Sequence, residues 1–470
     1  MKEHIALIFT PIDIKYKDAL THYAPPLGLV ALANYIGEKL PEVKISILDG
    51  SVVHSLESIT EFIETEKPDI VAQSIQHISY ENALIIARHA HGINAINVLG
   101  GQHATQLADA IVYNQEGLID YVSIEDGEES MVGLIMEKPI ESIPNLVMCK
   151  HGNITQTGYF QLDLNSVPKL DYSMVDFAPY KALLKNTNFT SPNPITNYLR
   201  VYSHKGCGNR ENSVGCLFCG RADKGVRFKT PETFWEEIKT CVDVYKADYI
   251  FDVGDDFLYN HEWVSKVAGS RPQIQNKFEF GIFARANRVN TQIASGLKKI
   301  GVTDVVIGFE SGDEDVLRLC NKRNTSPEIS IFAADTLASA GIDITASFVL
   351  GLPGENSRSL KNTIECAHRI VDIITLKLGR PPREMVGNLI EPSPGSTAHR
   401  ALIKAYPHKY YLKDFIPLEE MQRDYFKHYF GLETPASYAR FRKELNRAAQ
   451  EIHSLVGFSD AQVWLSSEVI

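Results

Sequence analysis

Long apolar runs are missing from this 470-residue chain. No segment offers the roughly 18 apolar residues of a membrane span. The apolar stretch 5–9 is too short for a secretion signal and lacks a small-residue cleavage site. Cysteine is scarce: seven residues, at 149, 207, 216, 219, 241, 320 and 366, are too few for a disulfide framework in a chain this long. Basic charge is in deficit, with 47 Lys and Arg against 58 Asp and Glu and a net charge of −11, which removes any general electrostatic reason to bind nucleic acid or an anionic membrane. Internal repeats and low-complexity tracts are also lacking. What remains is a cytoplasmic globular protein of two or three domains, with a small-molecule or peptide-like substrate as the default partner.

Against that background the chain is rhythmic. Over the first 130 residues, short β-branched runs at 4–10, 43–48, 69–72, 95–99 and 120–123 alternate with helical patterns such as 27–40. This predicts an α/β domain, doubly wound and Rossmann-like, with ligand loops at the carboxyl ends of its parallel strands. Residues 137–197 carry Pro139, Pro144, Pro168, Pro179, Pro192 and Pro194 and read as a connecting region with one small hairpin. The alternation resumes from 198, with strands expected at 199–203, 249–253, 278–283, 304–309, 344–350 and 385–390. Thr230-Pro231 and Ser326-Pro327 open helices there, and Gly341 closes one. Six βα units make a partial (β/α)6 barrel, whose chemistry belongs on the loops after the strands. The expected domains are 1–136, the connector 137–197, a barrel at 198–395 and a mostly helical tail at 396–470.

Three of the seven cysteines, Cys207, Cys216 and Cys219, crowd into thirteen residues directly after the first barrel strand. Three thiolates can hold three irons of a cubane and leave the fourth iron open to an outside ligand, whereas electron-carrying clusters use four. Zinc completed by His204 or a distant residue is the competing reading. Downstream, Gly351-Leu-Pro-Gly354-Glu355 follows a buried strand and puts a carboxylate in the first turn of a helix. The segment Gly308-Phe-Glu310-Ser311-Gly312 repeats the device one strand earlier. In the first domain, strand-end loops carry small or polar residues: Asp49-Gly50-Ser51, Gln73-Ser74-Ile75, Gly100-Gly101-Gln102-His103 and Glu125-Asp126-Gly127-Glu128. Backbone exposed in this way suits a nucleotide-like ligand or cofactor.

Taken together, these residues resemble the cobalamin-binding radical S-adenosylmethionine enzymes over residues 1–395. The family's C-x3-C-x2-C loop stands here as C-x8-C-x2-C, with Cys216-Leu-Phe-Cys219 matching closely. The stretches Pro25-Pro-Leu-Gly28, Pro68-Asp-Ile-Val71, Leu99-Gly100-Gly101-Gln-His103 and Asp126-Gly127-Glu128 match its cobalamin domain in order. The resemblance implies a [4Fe-4S] cluster on the three cysteines and S-adenosylmethionine chelated at the open iron. It further implies a 5′-deoxyadenosyl radical that takes hydrogen from the substrate, and cobalamin in the first domain.

By the same resemblance Asp255 and Asp256 lie beside the methionine moiety, and Arg285 is a polar contact after the third strand. Glu310 and Ser311 lie near the ribose and amino acid, and Gly351, Gly354 and Glu355 near the adenine. Asp49, Ser74, Gly100, Gly101, His103, Asp126, Gly127 and Glu128 are the expected cobalamin contacts. The Asp-x-His-x-x-Gly motif that supplies an axial histidine is absent, so His22, His77 and His103 are not assigned to cobalt. The implied activity is C-methylation of an unactivated carbon, with an external flavodoxin- or ferredoxin-like electron donor. The alternatives are a cobalamin-dependent cyclase or mutase, and a zinc or iron–sulfur sensory protein. The turn 392–395 and the tail are the expected substrate gate.

Overall fold

The computed structural model describes residues 1–12, 23–185, 194–211 and 214–456. Five parallel strands, β1 (His4–Phe9), β2 (Lys44–Asp49), β3 (Ile70–Ser74), β4 (Ile96–Gly100) and β5 (Tyr121–Ser123), form the first sheet where the β-branched runs predicted them. The connecting region supplies the expected hairpin, β6 (Leu146–Lys150) and β7 (Asn153–Gln156). It adds antiparallel to β5 and extends the sheet to seven strands in the order β2-β1-β3-β4-β5-β6-β7. Strand order reverses on either side of β1, and in such sheets ligands bind beyond the carboxyl ends of the strands.

The second sheet begins with β8 (Tyr198–Val201). A two-residue pair follows, β9 (His204–Lys205) against β10 (Arg227–Phe228), which brackets the cysteine loop. Then come β11 (Tyr249–Asp252), β12 (Glu279–Ala284), β13 (Asp304–Glu310), β14 (Asp343–Leu350) and β15 (Glu384–Leu389), giving six parallel strands in the order β15-β14-β13-β12-β11-β8. Helices start where the sequence signals them: Thr230 and Ser326 each accept an N–H bond at an N-cap with proline following, and Gly341 takes φ +77° after the helix Pro327–Ser339.

The two faces of this sheet differ. Leu199, Ile250, Ile282, Val305, Ile344 and Met385 pack outward against the helices in one large core. Tyr198, Tyr249, Phe251, Phe283 and Val306 form a separate cluster on the lumen side, joined by Ala24 and Leu184. At the amino ends of the strands Arg383 binds Glu279 (2.7 Å) and Asp304 (3.2 Å), and Arg380 binds Asp343 (2.6 Å). Tyr249 donates to Asp304 at 2.8 Å, completing a closed polar base. Both margins are covered from outside the barrel. Tyr172 of the connector donates to the Arg200 carbonyl of β8 at 2.5 Å, and Nε2 of His453, on the helix Pro435–Ser454, accepts from the Gly387 N–H of β15 at 3.3 Å. Among the described residues no helix is long and apolar enough to cross a membrane.

Candidate functional site

The cysteine loop leaves β9 and is held by what sits inside it. Asn209 and Arg210 occupy the short helix Gly208–Glu211, between Cys207 and Cys216. Asn209 Nδ2 donates to Cys216 Sγ (3.2 Å) and an Arg210 N–H donates to Cys219 Sγ (3.4 Å). The residues that lengthen the C-x8-C spacing thus supply donors to the other two sulfurs. Arg285, after β12, approaches Cys216 Sγ at 3.9 Å. Burial works against both guanidinium charges, yet both are held above the ordinary arginine range: Arg210 chiefly by Asp255 and then by Cys219 and Cys207, Arg285 by Cys216 and Cys207. The three sulfurs therefore share one pair of arginines. Burial pushes the thiols of Cys207 and Cys219 up, and Arg210 opposes it.

This donor set suits an anionic thiolate cluster. Zinc completed by His204 fares worse, because both nitrogens of that ring are used. Nε2 accepts from the Asp256 N–H at 3.0 Å, so Nδ1 carries the proton and donates to Ser203 at 2.8 Å. Burial lowers His204 to about 4, so it stays neutral. Among the described residues no three His, Cys, Asp or Glu side chains, the three cysteines included, are grouped as a metal site. The imidazole stacks on Phe228 and fills the turn after β11, where a Cβ on Gly254 would overlap it.

The same turn delivers two carboxylates. Asp255 pairs with Arg210 (2.5 Å) and Arg221 (3.5 Å). Asp256 is fully buried, has Arg288 only at 3.8 Å, and neither of its oxygens has a hydrogen-bond partner; burial pushes it up to about 6. A buried carboxylate left open next to Arg285 suits an incoming ammonium or hydroxyl group. Glu310 takes φ +65° at the end of β13, a conformation costly for a residue with a side chain, and receives Lys322 at 2.6 Å. Burial penalises the Lys322 ammonium, but Glu310 and the Cys216 sulfur outweigh it and its pKa ends above the usual lysine value.

Other expected contacts point elsewhere. Ser311 is buried and bonds Thr363 at 3.1 Å. Gly351 and Gly354 take φ +91° and +81°, which by itself favours glycine, and a Cβ on Gly351 would in addition meet Phe426 at 2.9 Å. Glu355 accepts from the Gly351 N–H, and its second oxygen is buried without a partner.

In the first domain, Asp49 is occupied by Ser51 (2.8 Å) and Tyr180 (2.5 Å). Gly101 follows β4 at φ +88°, where a Cβ would crowd Ser74 Oγ and Ile75. A Cβ on Gly127 would meet Ser123 Oγ at 3.0 Å, and that hydroxyl is buried with no partner. Ser74, Gly100 and Ser123, the last residues of β3, β4 and β5, thus form a rim with one open donor, a fit for a large polar cofactor lying flat on the sheet edge. His103 faces away from this role: Nε2 meets the Asp414 carbonyl at 3.0 Å and Nδ1 meets His77 Nδ1 at 3.3 Å. His77 Nε2 meets the Ile416 carbonyl at 2.9 Å, so both rings pin the tail to the first domain. His22 lies outside the described residues.

The two rims face each other. Gln106 donates to the carbonyl of Gly220, next to Cys219, at 2.6 Å. A Cβ on Gly220 would meet the Pro394 carbonyl at 2.6 Å and Gln102 at 3.4 Å, and one on Gly395 would overlap Gln106. Asp126 joins the domains from the flank, binding Lys205 and Arg227 at 2.7 Å each, with Glu128 at 3.9 Å from Lys205. Sequence reading missed Arg210, Lys205, Arg227 and Lys322. For Arg210 a signal existed, since it stands inside the cysteine spacing; the others become visible only when distant strands meet.

Comparison with known proteins gives two domain matches: a radical SAM superfamily model over residues 201–367 and a B12-binding domain model over residues 16–135. An uncharacterized methyltransferase of Pyrococcus horikoshii is 24% identical over 390 residues, 80% of each chain. The solved cobalamin-dependent radical enzyme OxsB, with aqua-cobalamin and S-adenosylmethionine bound, matches 96% of this chain at 14% identity and TM-score 0.68; the chain spans 71% of that structure's chain and 62% of another's. The radical S-adenosylmethionine methyltransferase TsrM of Kitasatospora setae matches 86% of this chain and 77% of its own at 13% identity and TM-score 0.65. These structural likenesses establish the fold.

Proposed function

We propose, from the radical SAM and B12-binding domains that it matches, that this chain is a cobalamin-dependent radical S-adenosylmethionine enzyme that transfers a methyl group to an unactivated carbon of a small molecule. The observation that carries this reading is the contact of Gln106 with Gly220. The rim that would carry cobalamin and the loop that would carry the cluster abut with no intervening layer, as methyl delivery from one domain to a carbon activated by the other requires. The methyltransferase names of the Pyrococcus relative and of TsrM lend support.

Cys207, Cys216 and Cys219 would hold the [4Fe-4S] cluster. Arg285, Asp256 and the Lys322–Glu310 pair would bind S-adenosylmethionine, and the rim Ser74, Gly100, Gly101, Ser123 and Gly127 would hold cobalamin. When bound, these groups supply a carbon radical and a transferable methyl group. The chain does the rest. Arg210 and Asn209 stabilise negative charge on the sulfurs, and Asp255 fixes Arg210 in place. The tail loop at 412–416 is tied to the first domain through Tyr80, His103 and Asn114, and the Pro394 carbonyl sits against Gly220 beside the cysteine loop, which makes both candidates for shielding the seam from water.

The test is anaerobic reconstitution followed by product mass. The expected result is 5′-deoxyadenosine together with a product one methyl group heavier, and iron loading that collapses in Cys216→Ala. A product of unchanged carbon count would move the assignment to cyclisation or rearrangement. A wild-type protein that takes up neither iron nor corrinoid ends the reading.

A further inference from the structure

Among the described residues the lumen of the barrel holds a cation with no acidic counterpart. By register Arg200 stands beside Phe251 and on the same sheet face as Tyr198, one residue before the end of β8. Its guanidinium lies over the Tyr198 ring at 5.7 Å, and its Nε contacts the Tyr198 hydroxyl at 3.4 Å. Among the described residues no carboxylate comes within ion-pair distance of it. Several other charges of the barrel interior are matched: Glu310 by Lys322, Glu279 and Asp304 by Arg383, Asp343 by Arg380. Burial pushes the Glu384 carboxyl up, toward its uncharged form.

Arg200 is itself partly exposed, and the lumen face keeps some exposure on the strands beyond the Tyr198–Phe251 cluster. Phe283, Val306, Ser347, Val386 and Asn388 all project from the lumen face and remain partly exposed, while their outward neighbours Ile282, Ile307, Ala346, Met385 and Leu389 are buried under helices. Asn388 Oδ1 is shielded from solvent and has no hydrogen-bond partner. The lumen face thus carries apolar side chains, a vacant amide oxygen on β15 and, on β8, one planar cation with donors to spare. A half-buried guanidinium without a counter-ion is expensive unless an anion completes it, and its fork matches a carboxylate or phosphate in two parallel bonds.

We infer that the substrate is an apolar organic anion whose carboxylate or phosphate is anchored by Arg200, leaving the apolar part toward the cysteine end of the barrel. Arg200 is on this account a specificity residue. The inference rests on the methyl-transfer reading for its reaction but is tested without it.

The experiment titrates the full chain, reconstituted with cluster and cobalamin, with an isosteric pair of probes, phenylacetate and phenylacetamide, followed by ligand-observed NMR. The wild type is expected to prefer the acid by about tenfold or more. Arg200→Gln abolishes that preference, and Arg200→Lys, which restores the charge without the fork, recovers part of it. Corrinoid uptake by each variant, read by absorbance, reports a folded protein. Equal binding of the two probes, binding of neither, or a preference that survives in Arg200→Gln overturns the assignment. Failure of the enzyme reading shows separately, as absence of 5′-deoxyadenosine from the reduced wild type.

Discussion

Glu355 is a residue whose own charge opposes the fold. One oxygen caps the Gly351 N–H, the other is buried without a partner, and burial pushes its pKa from 4.5 up to about 8. A carboxyl raised in the folded state contributes stability that is complete below about pH 4.5 and is lost as pH rises through 8. Glu355→Gln keeps the acceptor for Gly351 and removes the charge. It should flatten the stability profile across that window and stabilise the protein at pH 8.5 by about 1–3 kcal/mol, measured by urea denaturation at several pH values. At this scale the sequence was legible where chemistry is local. Cys216-Leu-Phe-Cys219 announces itself, and Thr230 and Ser326 cap as their neighbours require. Gly351 is legible only in part, because its φ of +91° calls for glycine in the turn while the ring packed against it is Phe426, 75 residues on and in a helix that carries no motif.

At the level of elements, period and propensity located every parallel strand of both sheets, because each is a short β-branched run between helical stretches. What they could not reveal is how the barrel's two open margins are shielded. An unpaired strand edge invites pairing with other chains. On β15 the shield is a single helix, with Ala449 packed on Gly387 and His453 accepting its N–H. Burial lowers His453, so the ring serves as a neutral acceptor. His453→Ala strands that N–H, and we expect a loss of about 1–2 kcal/mol with faster aggregation on heating, read by calorimetry and light scattering. Aggregation unchanged from wild type would remove the shielding role.

For the whole molecule the decisive residue is Asp126. The sequence presented it as a cofactor contact, and the structure shows it as the hub where the first domain grips β9 and β10 through Lys205 and Arg227. Which carboxylate meets which cation across 79 and 101 residues is not encoded in any local pattern. Asp126→Asn leaves two largely buried cations short of a counter-charge, and a loss of about 3 kcal/mol is expected, partly recovered in the double variant with Lys205→Met. Chemical denaturation of the single and double variants checks it. Shared margins carry a further consequence for anyone recombining such enzymes. Since the connector seals β8 and the tail seals β15, a graft bounded at the barrel's first and last strands would expose both seams. The smallest exchangeable module begins inside the proline-rich stretch and runs through the final helix.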